Sequence, residues 1–223
     1  MIHVIVFLMT YIIEVNAGGR TAGMRLTKEK VAENKARVVA TAARLFREKG
    51  FEGVAVADLM HAAGLTHGGF YNHFESKDEL AAEACARIFE GAVAAVERIA
   101  AIEDASERAA ALDAYERSYL SERARDAPAA RCPMVALGTD VSRRHGPVLH
   151  AYADGLRRYL DAFTRALGSA KPSRRKAARE QAIATLAMLA GALSLARSVA
   201  AADPKLSDEI LASALARLPE AAR

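Results

Sequence analysis

Apolar residues recur at helical spacing through most of this 223-residue chain. Between Lys30 and Lys49 they fall at Val38, Ala42, Leu45 and Phe46. Residues three or four positions apart share one face of an α-helix, so this spacing predicts an amphipathic helix. The segment ends on a lysine followed by a glycine, which is typical of a helix C-terminus.

Two shorter helices are predicted next, over Val56 to Ala63 and over His67 to Phe74, with Gly64 and Leu65 between them. A tight turn between helices needs a residue with positive φ, and glycine adopts that conformation without a steric cost. An apolar residue beside the glycine can join the two helices. This spacing is typical of a helix-turn-helix.

Helical patterns continue to the C-terminal end of the chain. Ser76 and Glu79 have the spacing of a capping box, which predicts the start of a long helix. The later helices are predicted over residues 77–101, 106–126, 134–143, 148–167, 173–200 and 207–218. We find no strand pattern, so the sequence predicts an all-α protein with about nine helices.

The composition narrows the possible functions. With 52% hydrophobic and 26% charged residues the chain is not disordered. A formal net charge of +4 is compatible with nucleic-acid binding but does not establish it. Two cysteines exclude a disulfide framework or a four-cysteine zinc site, and they favour a cytoplasmic location. We see no catalytic carboxylate pair, nucleophile elbow, metal-ligand set or phosphate loop, so we expect no enzyme activity, no cofactor and no metal.

The N-terminal residues differ in character from the rest. Met1 to Ile13 are mostly apolar but too few to span a bilayer, which needs about 20 residues, so no membrane contact is predicted. We interpret residues 1–23 as a disordered extension or a start-site artefact; a real interaction segment and a secretion signal are the alternatives. The rest of the chain is then predicted to divide into two domains, residues 24–80 and residues 81–223.

A closely spaced set of residues in the first predicted domain indicates the protein family more specifically than the composition does. The set comprises Ala43-Arg44-Leu45-Phe46, Gly50-Phe51, Val56 through Leu59, Ala63-Gly64-Leu65 and the run GGFYNHFESKDEL from Gly68 to Leu80. With these residues the segment from Lys35 to Leu80 resembles the tetracycline-repressor (TetR/AcrR) family of bacterial transcription regulators. The resemblance implies a three-helix DNA-binding domain followed by a helical ligand-binding and dimerisation domain. One departure is Val54-Ala55, where members usually have Ser or Thr before the second helix.

The helix after the turn is the predicted reader of double-stranded DNA. Phe70 and Phe74, spaced i and i+4, are expected to face the core. The resemblance implies that His67 and Asn72 read bases in the major groove and that Tyr71 and His73 hold phosphates. The full predicted DNA-binding set is Lys35, Arg37, Thr66, His67, Gly68, Gly69, Tyr71, Asn72, His73 and Lys77. An ordinary solvated surface is the alternative for the charged and polar members of this set.

The C-terminal helices offer candidates for an effector pocket, chosen as aromatic and apolar residues at helical spacing. They are Phe89, Val93, Tyr115, Tyr119, Met134, Tyr152, Tyr159, Phe163 and Met188. Ordinary core packing is the alternative for this set. Cys132 precedes Pro133 at a predicted helix start, where a thiolate is stabilised, so it is a possible redox sensor; the alternative is a small buried residue.

The helix over 173–200 is apolar nearly all round from Ala182 to Ala196, so we expect it to be buried on all sides, in part by a second subunit. The resulting hypothesis is a homodimeric repressor that a small-molecule effector releases from a palindromic operator. An activator, or a DNA-binding protein regulated by a protein partner, is the alternative. An all-α enzyme is a remote one.

Overall fold

A computed structural model describes residues 28–127, 132–168 and 172–218, so the predicted extension 1–23 lies outside the described residues. The chain divides into two compact units, residues 1–34 and 35–223, and of the first only the start of a helix is described. The described residues form nine α-helices, one 3₁₀ helix and no strand, which confirms the all-α prediction. The α-helices are α1 Lys28–Lys49, α2 Val56–Ala62, α3 Lys77–Ala100, α4 Ala105–Tyr119, α5 Glu122–Asp126, α6 Pro133–Val141, α7 Pro147–Ala166, α8 Pro172–Val199 and α9 Pro204–Leu215.

The predicted helix-turn-helix is present, with α2 as its first helix. Gly64 takes a φ of +69°, as the turn requires. The second helix differs from the prediction of an α-helix from His67 to Phe74, because it is a 3₁₀ helix over His67–Asn72. Adjacent glycines disfavour an α-helix by about 1 kcal/mol each, and short 3₁₀ segments are the usual result where α-helical bonding is weak.

Four phenylalanines form the centre of the helix-turn-helix region. The rings of Phe46 and Phe51 lie 5.0 Å apart, and those of Phe70 and Phe74 lie 5.5 Å apart. All four side chains are at most 2% exposed. The inward orientation predicted for Phe70 and Phe74 is therefore confirmed, and it directs their neighbours on the 3₁₀ helix towards solvent.

The long helix α3 begins at the predicted capping box. The amide of Glu79 donates to the hydroxyl of Ser76 over 3.1 Å, and the Glu79 carboxylate accepts from the amide of Glu75. Further along, α3 packs closely against α7, because a Cβ atom built on Gly155 would lie 2.4 Å from the ring of Phe89. This close approach makes the α3–α7 pair the centre of the C-terminal part of the fold.

The helix predicted over residues 106–126 is two helices, α4 and α5. The interruption lies at Leu120 and Ser121, where the Ser121 hydroxyl accepts from the amide of Ala124 over 3.1 Å. A serine in extended conformation that caps the next turn starts a new helix in place of continuing the old one. This break separates α4 from α5, which the periodicity alone did not indicate.

The helix α8 is buried on one face rather than on all sides, which corrects the prediction for its apolar run. The buried residues are Ala182, Leu186, Leu189, Leu193 and Ala196. On the opposite face Ile183 is 48% exposed and Leu195 is 60% exposed. Its part from Arg175 to Val199 is long and apolar enough to cross a membrane, but a core helix passes the same criterion, and the buried stripe is that of a core helix.

Candidate nucleic-acid interface and effector cavity

The 3₁₀ helix presents a short polar surface to solvent. His67, Gly68 and Asn72 are exposed, and Tyr71 is 70% exposed. The ring of Tyr71 packs edge-on against buried Phe70, with ring centroids 5.2 Å apart. The core residue thus supports the Tyr71 ring while the rest of the side chain projects outward.

Two residues at the ends of the 3₁₀ helix differ from their expected environments. Thr66 occupies the N-cap position in extended conformation, yet its side chain makes no capping hydrogen bond. His73 is half-buried against Phe74, and its Nδ1 atom is buried without a hydrogen-bond partner among the described residues. His73 is therefore less open to solvent than Tyr71, although the same surface was predicted for both.

The basic residues that were predicted to contact DNA lie in three different environments. Lys35 forms an ion pair of 2.6 Å with Glu83, and its ammonium group lies 5.1 Å from the centre of the Phe74 ring. Arg37 is exposed on α1, and Lys77 is half-buried at the first position of α3. Lys35 consequently has an intramolecular counter-charge in the free protein, which a phosphate would have to replace.

Comparison with known proteins matches this region. Residues 38–84 match the family described as bacterial regulatory proteins, tetR family. This segment is similar to the tetR family of regulatory proteins. The matched residues contain the helix-turn-helix and the exposed 3₁₀ surface.

Individual relatives match this chain over a short segment. The chain is 40% identical over 53 residues to the uncharacterised HTH-type transcriptional regulator YerO of Bacillus subtilis and 39% identical over 57 residues to the HTH-type transcriptional regulator TtgR of Pseudomonas putida. These matches cover 24% and 26% of this chain, and 18% and 27% of the two relatives. Both relatives are named as regulators rather than enzymes, in agreement with the sequence prediction.

The likeness to solved structures extends over most of the chain. The crystal structure of E. coli NemR in its reduced form superimposes with a TM-score of 0.67 and 22% sequence identity, over 84% of this chain and 95% of that one. At this identity the likeness establishes the fold. The helices after the helix-turn-helix therefore have the arrangement seen in that structure.

The helix α2 lacks a side-chain cap. Its N-cap residue is Ala55, which has extended φ and ψ angles but no polar side chain. Residues such as Ser or Thr at an N-cap accept a hydrogen bond from an amide of the first turn. The departure noted in the sequence therefore leaves the start of α2 without the usual hydroxyl.

A cavity of about 290 Å³ lies among α1, α3, α4, α5, α6, α7 and α8. It is lined by Arg47, Ile88, Gly91, Ala92, Tyr115, Ser118, Tyr119, Ala124, Cys132, Pro133, Tyr159 and Leu193. Three predicted pocket residues, Tyr115, Tyr119 and Tyr159, come together here, and so does Cys132. The sequence pattern did not indicate Arg47, because it belongs to the first helix of the predicted DNA-binding domain.

The other predicted pocket residues lie elsewhere. Phe89 and Phe163 are buried, and their rings pack against those of Tyr152 and Tyr159 respectively. Val93 borders a separate charged depression that also contains Glu97 and Arg165. The remaining members, Met134, Tyr152 and Met188, are half-buried and do not line the cavity. Core packing accounts for Phe89 and Phe163.

Burial keeps the three tyrosines of the cavity uncharged. The hydroxyls of Tyr115 and Tyr159 form a short hydrogen bond with each other. Loss of solvent raises the pKa of Tyr115 to about 12 and raises those of Tyr119 and Tyr159 well above their usual value. The hydroxyl of Tyr119 is buried, with no hydrogen-bond partner stronger than the Cys132 thiol in the part of the chain that the structure describes. The cavity therefore presents neutral phenols at physiological pH.

Cys132 does not have the environment expected of a reactive thiol. It is 8% exposed, and burial raises its pKa. The nearby Tyr119 hydroxyl and the amides of Val135 and Met134 at the start of α6 lower that pKa but do not outweigh the burial. Desolvation therefore outweighs the stabilisation of the thiolate at the helix start, which favours the alternative of a small buried residue.

Clusters suited to metal binding are not found in the described segments. No group of three or more His, Cys, Asp or Glu side chains is close enough to hold an ion there. Three histidines, His61, His67 and His73, flank the helix-turn-helix, but they do not form such a group. The described residues that line the cavity supply hydrogen-bond donors, one guanidinium cation and apolar side chains.

Proposed function

We propose that this protein is a homodimeric transcriptional repressor that binds a palindromic DNA operator and releases it when a small molecule enters the cavity. The observation that carries the DNA-binding part is the exposed surface of the 3₁₀ helix. Its polar side chains point to solvent while Phe70 and Phe74 hold the backbone in place. A segment of this size fits the major groove, where base edges can be distinguished.

Within this surface we assign the roles implied by the family resemblance. His67 and Asn72 contact base edges, and Tyr71 and His73 contact phosphates together with Thr66, Lys77, Lys35 and Arg37. Gly68 and Gly69 have no side chains, and a Cβ on Gly68 would meet open space, so the backbone here can approach DNA closely. Asparagine can form two hydrogen bonds to adenine, which favours Asn72 as a base reader.

The homodimer is supported by the uncovered face of α8. Ile183 and Leu195 are exposed, and between them lie the small exposed residues Ala184, Ala187 and Gly191. A Cβ on Gly191 would have no neighbour within 4 Å. Small residues in a row let a second helix approach closely, and exposed branched residues gain free energy when covered. The adjacent exposed Leu206 on α9 extends the same kind of surface.

The effector part is supported by the position of the cavity. Its wall includes Arg47 from α1, which belongs to the DNA-binding region, and Pro133 from α6, whose Asp140 accepts from the amide of Phe51 in that region. A ligand in the cavity can favour one arrangement of these helices over another only if it binds the two with different affinity. Residues 24–80 and 81–223 remain our assignment of the DNA-binding and effector-binding domains.

The test is selection of binding sites from random double-stranded DNA by the purified full chain. We expect a palindrome with half-sites about one helical turn apart, because a two-fold dimer places its reading elements symmetrically. Light scattering measures the dimer, and a reporter gene downstream of the selected site distinguishes repression from activation. Recovery of sequences without symmetry, or a monomer at micromolar concentration, would contradict the proposal.

A further inference from the structure

Among the described residues that line the cavity, Arg47 is the one with a positively charged side chain. Its Nε atom donates to the carbonyl oxygen of Ala43 over 3.0 Å, and no ion pair of its guanidinium is found within the described residues. Burial lowers its pKa, and the adjacent Glu48 offsets this in part. An arginine nevertheless stays protonated at any physiological pH, so a positive charge with unused N–H donors faces the cavity.

No acidic side chain balances this charge from within the wall. The remaining lining residues are apolar or neutral, and the carboxylate of nearby Glu48 is engaged by Arg44 at 3.3 Å. A cationic ligand would therefore meet repulsion and no counter-charge. A dianion such as a phosphate monoester would have to be desolvated among apolar walls, which is unfavourable. The guanidinium of Arg197 lies near Tyr119 and Cys132, but it already donates to the carbonyl oxygens of Ala124 and Arg125.

Neutral donors complement the guanidinium. The hydroxyl of Tyr119 is buried beside the Cys132 thiol, a weak acceptor, and has no stronger hydrogen-bond partner among the described residues. The Tyr115 and Tyr159 hydroxyls share one hydrogen bond, which uses one of their two protons and leaves the other available. A buried polar group without a strong partner is costly, so a ligand that accepts from Tyr119 lowers an existing penalty.

We propose that the effector is a monoanion, of the carboxylate type, with a small apolar or aromatic body. The anion pairs with the Arg47 guanidinium and accepts a hydrogen bond from the Tyr119 hydroxyl, while the body contacts Ile88, Leu193 and the tyrosine rings. The cavity volume of about 290 Å³ lies at the lower limit for drug-sized ligands, so the ligand is small. This inference rests on the proposed role of the cavity as the effector site.

The geometry also gives such an anion a direct effect on the DNA-binding domain. Arg47 lies in the last turn of α1, and Gly50 and Phe51 follow immediately. A ligand that draws the guanidinium inward acts on the helix that supports the helix-turn-helix, without an intermediate element. The same residue therefore selects the ligand by charge and transmits its binding.

Three probes of nearly equal shape and different charge test the assignment: 2-naphthoate, 2-naphthamide and 2-naphthamidine. Titration calorimetry of the full chain gives their dissociation constants. We expect 2-naphthoate to bind about tenfold or more tightly than the amide, because a charge-assisted hydrogen bond is about twice as strong as a neutral one. The amidine, a cation, is expected not to bind.

Variants then locate the anion. Arg47→Gln should weaken the binding of 2-naphthoate about 10- to 100-fold and change the affinity for the amide by less than about threefold. Arg47→Lys should retain part of the preference for 2-naphthoate over the amide. Arg44→Gln, one turn earlier on the same helix and outside the cavity wall, is the matched control. Tyr119→Phe should weaken 2-naphthoate several-fold, with Tyr152→Phe as its control. Circular dichroism melting curves verify that each variant is folded.

Several outcomes would overturn the inference. They are equal or tighter binding of the amide or the amidine, equal effects of Arg47→Gln and Arg44→Gln, or no binding of any probe. Operator release, measured in parallel by fluorescence polarisation, separates the two proposals. If the amide binds and releases DNA, the proposal of an anionic effector is wrong, but the cavity remains the effector site. If 2-naphthoate binds through Arg47 and operator affinity is unchanged, the cavity prefers anions, but the proposal that a ligand in the cavity releases DNA is wrong.

Discussion

The backbone amide of Phe51 donates a hydrogen bond of 3.0 Å to Oδ2 of Asp140, which lies 89 positions later in the chain. Phe51 follows the turn after α1, and Asp140 is in the last turn of α6, whose first turn lines the cavity through Pro133. A Cβ atom on Gly50, which has a φ of +73°, would lie 2.5 Å from the same carboxylate oxygen. The helix α6 thus connects the cavity wall to the DNA-binding domain at a tightly fitted contact.

A second contact lies beside the first. Arg144, just beyond α6, pairs with Asp78 at the start of α3 and with Glu52, and its guanidinium lies 5.2 Å from the ring centre of Phe51. The arginine is largely shielded, whereas both carboxylates are exposed. Asp140 and Arg144 therefore hold the same stretch of the DNA-binding domain from one side.

We expect Asp140→Ala to lower the free energy of unfolding by about 1–3 kcal/mol, because the amide of Phe51 loses a charged acceptor in a partly buried place. It should also weaken the link between ligand and operator, so that a saturating ligand releases less DNA. Urea unfolding and operator titrations with and without ligand measure the two effects. Asp154→Ala removes an exposed carboxylate from α7 and serves as the control. Equal stability of the two variants would contradict the role of Asp140.

The residues of the 3₁₀ helix should separate by their effect on sequence preference. Asn72→Ala is expected to cost about 1–3 kcal/mol on the operator and to relax one base position in each half-site, since it removes a base contact. Tyr71→Phe removes only a hydroxyl and should weaken all DNA sequences by about 1 kcal/mol, since phosphate contacts carry no sequence information. Site selection with each variant provides the measurement. A changed consensus for Tyr71→Phe, with an unchanged one for Asn72→Ala, would reverse the assigned roles.

Dimerisation should depend on the exposed face of α8. Replacing both Ile183 and Leu195 with Lys places charges on this face without entering the core, so we expect folded monomers with reduced operator affinity. Leu149→Lys, at an exposed apolar position on α7, is the control and should remain dimeric. Sedimentation velocity and light scattering measure the molar mass of each variant in solution. A dimeric double variant would place the interface elsewhere.

The stability of the protein should depend on pH through Glu116. Burial, together with the nearby Asp113, raises the pKa of this carboxyl to about 7, and the residue is 5% exposed. Because the folded-state pKa lies above the unfolded one, its contribution is fully present below about pH 4.5 and is lost as the pH rises through 7. We expect a decrease of about 2–3 kcal/mol between pH 5 and pH 8, at about 1.4 kcal/mol per pKa unit.

Glu116→Gln tests this pH dependence directly. The neutral amide cannot ionise, so urea unfolding of the variant should show a flatter profile over the same range, with the gain in stability largest at pH 8. Glu107→Gln removes an exposed carboxylate from the same helix and should leave the profile of the parent unchanged. If the parent and Glu116→Gln lost the same stability between pH 5 and pH 8, a group other than Glu116 would be responsible for the pH dependence.

The thiol of Cys132 should react slowly in the folded protein. Burial raises its pKa, and burial also raises the pKa of Cys85 to about 12, so neither residue offers a reactive thiolate at pH 7. Mass spectrometry after brief iodoacetamide treatment should show little labelling until urea unfolds the chain. We also expect Cys132→Ser to retain operator release by the natural effector. Rapid labelling of Cys132 in the native protein, or release by oxidant that the serine variant lacks, would establish it as a sensor.

Local features of the sequence were sufficient for most of the helices and for the family resemblance. The capping hydroxyl of Ser76, the positive φ of Gly64 and the inward direction of Phe70 and Phe74 follow from neighbouring residues alone. Helix periodicity, capping and turn geometry act over a few positions, so a pattern in the chain states them directly. The family motif lies within this same short segment.

Long-range packing decided the composition of the cavity. Tyr115 and Tyr159 are 44 positions apart, and Arg47 belongs to a helix that the sequence places in another domain. Periodicity identifies the face of a helix that is buried, but it does not identify the helix that covers it. The sequence therefore determined the all-α fold and the family of its DNA-binding segment. Only the tertiary structure brought an arginine to the tyrosines, buried Cys132 and left one face of α8 open, because each of these results depends on contacts between distant parts of the chain.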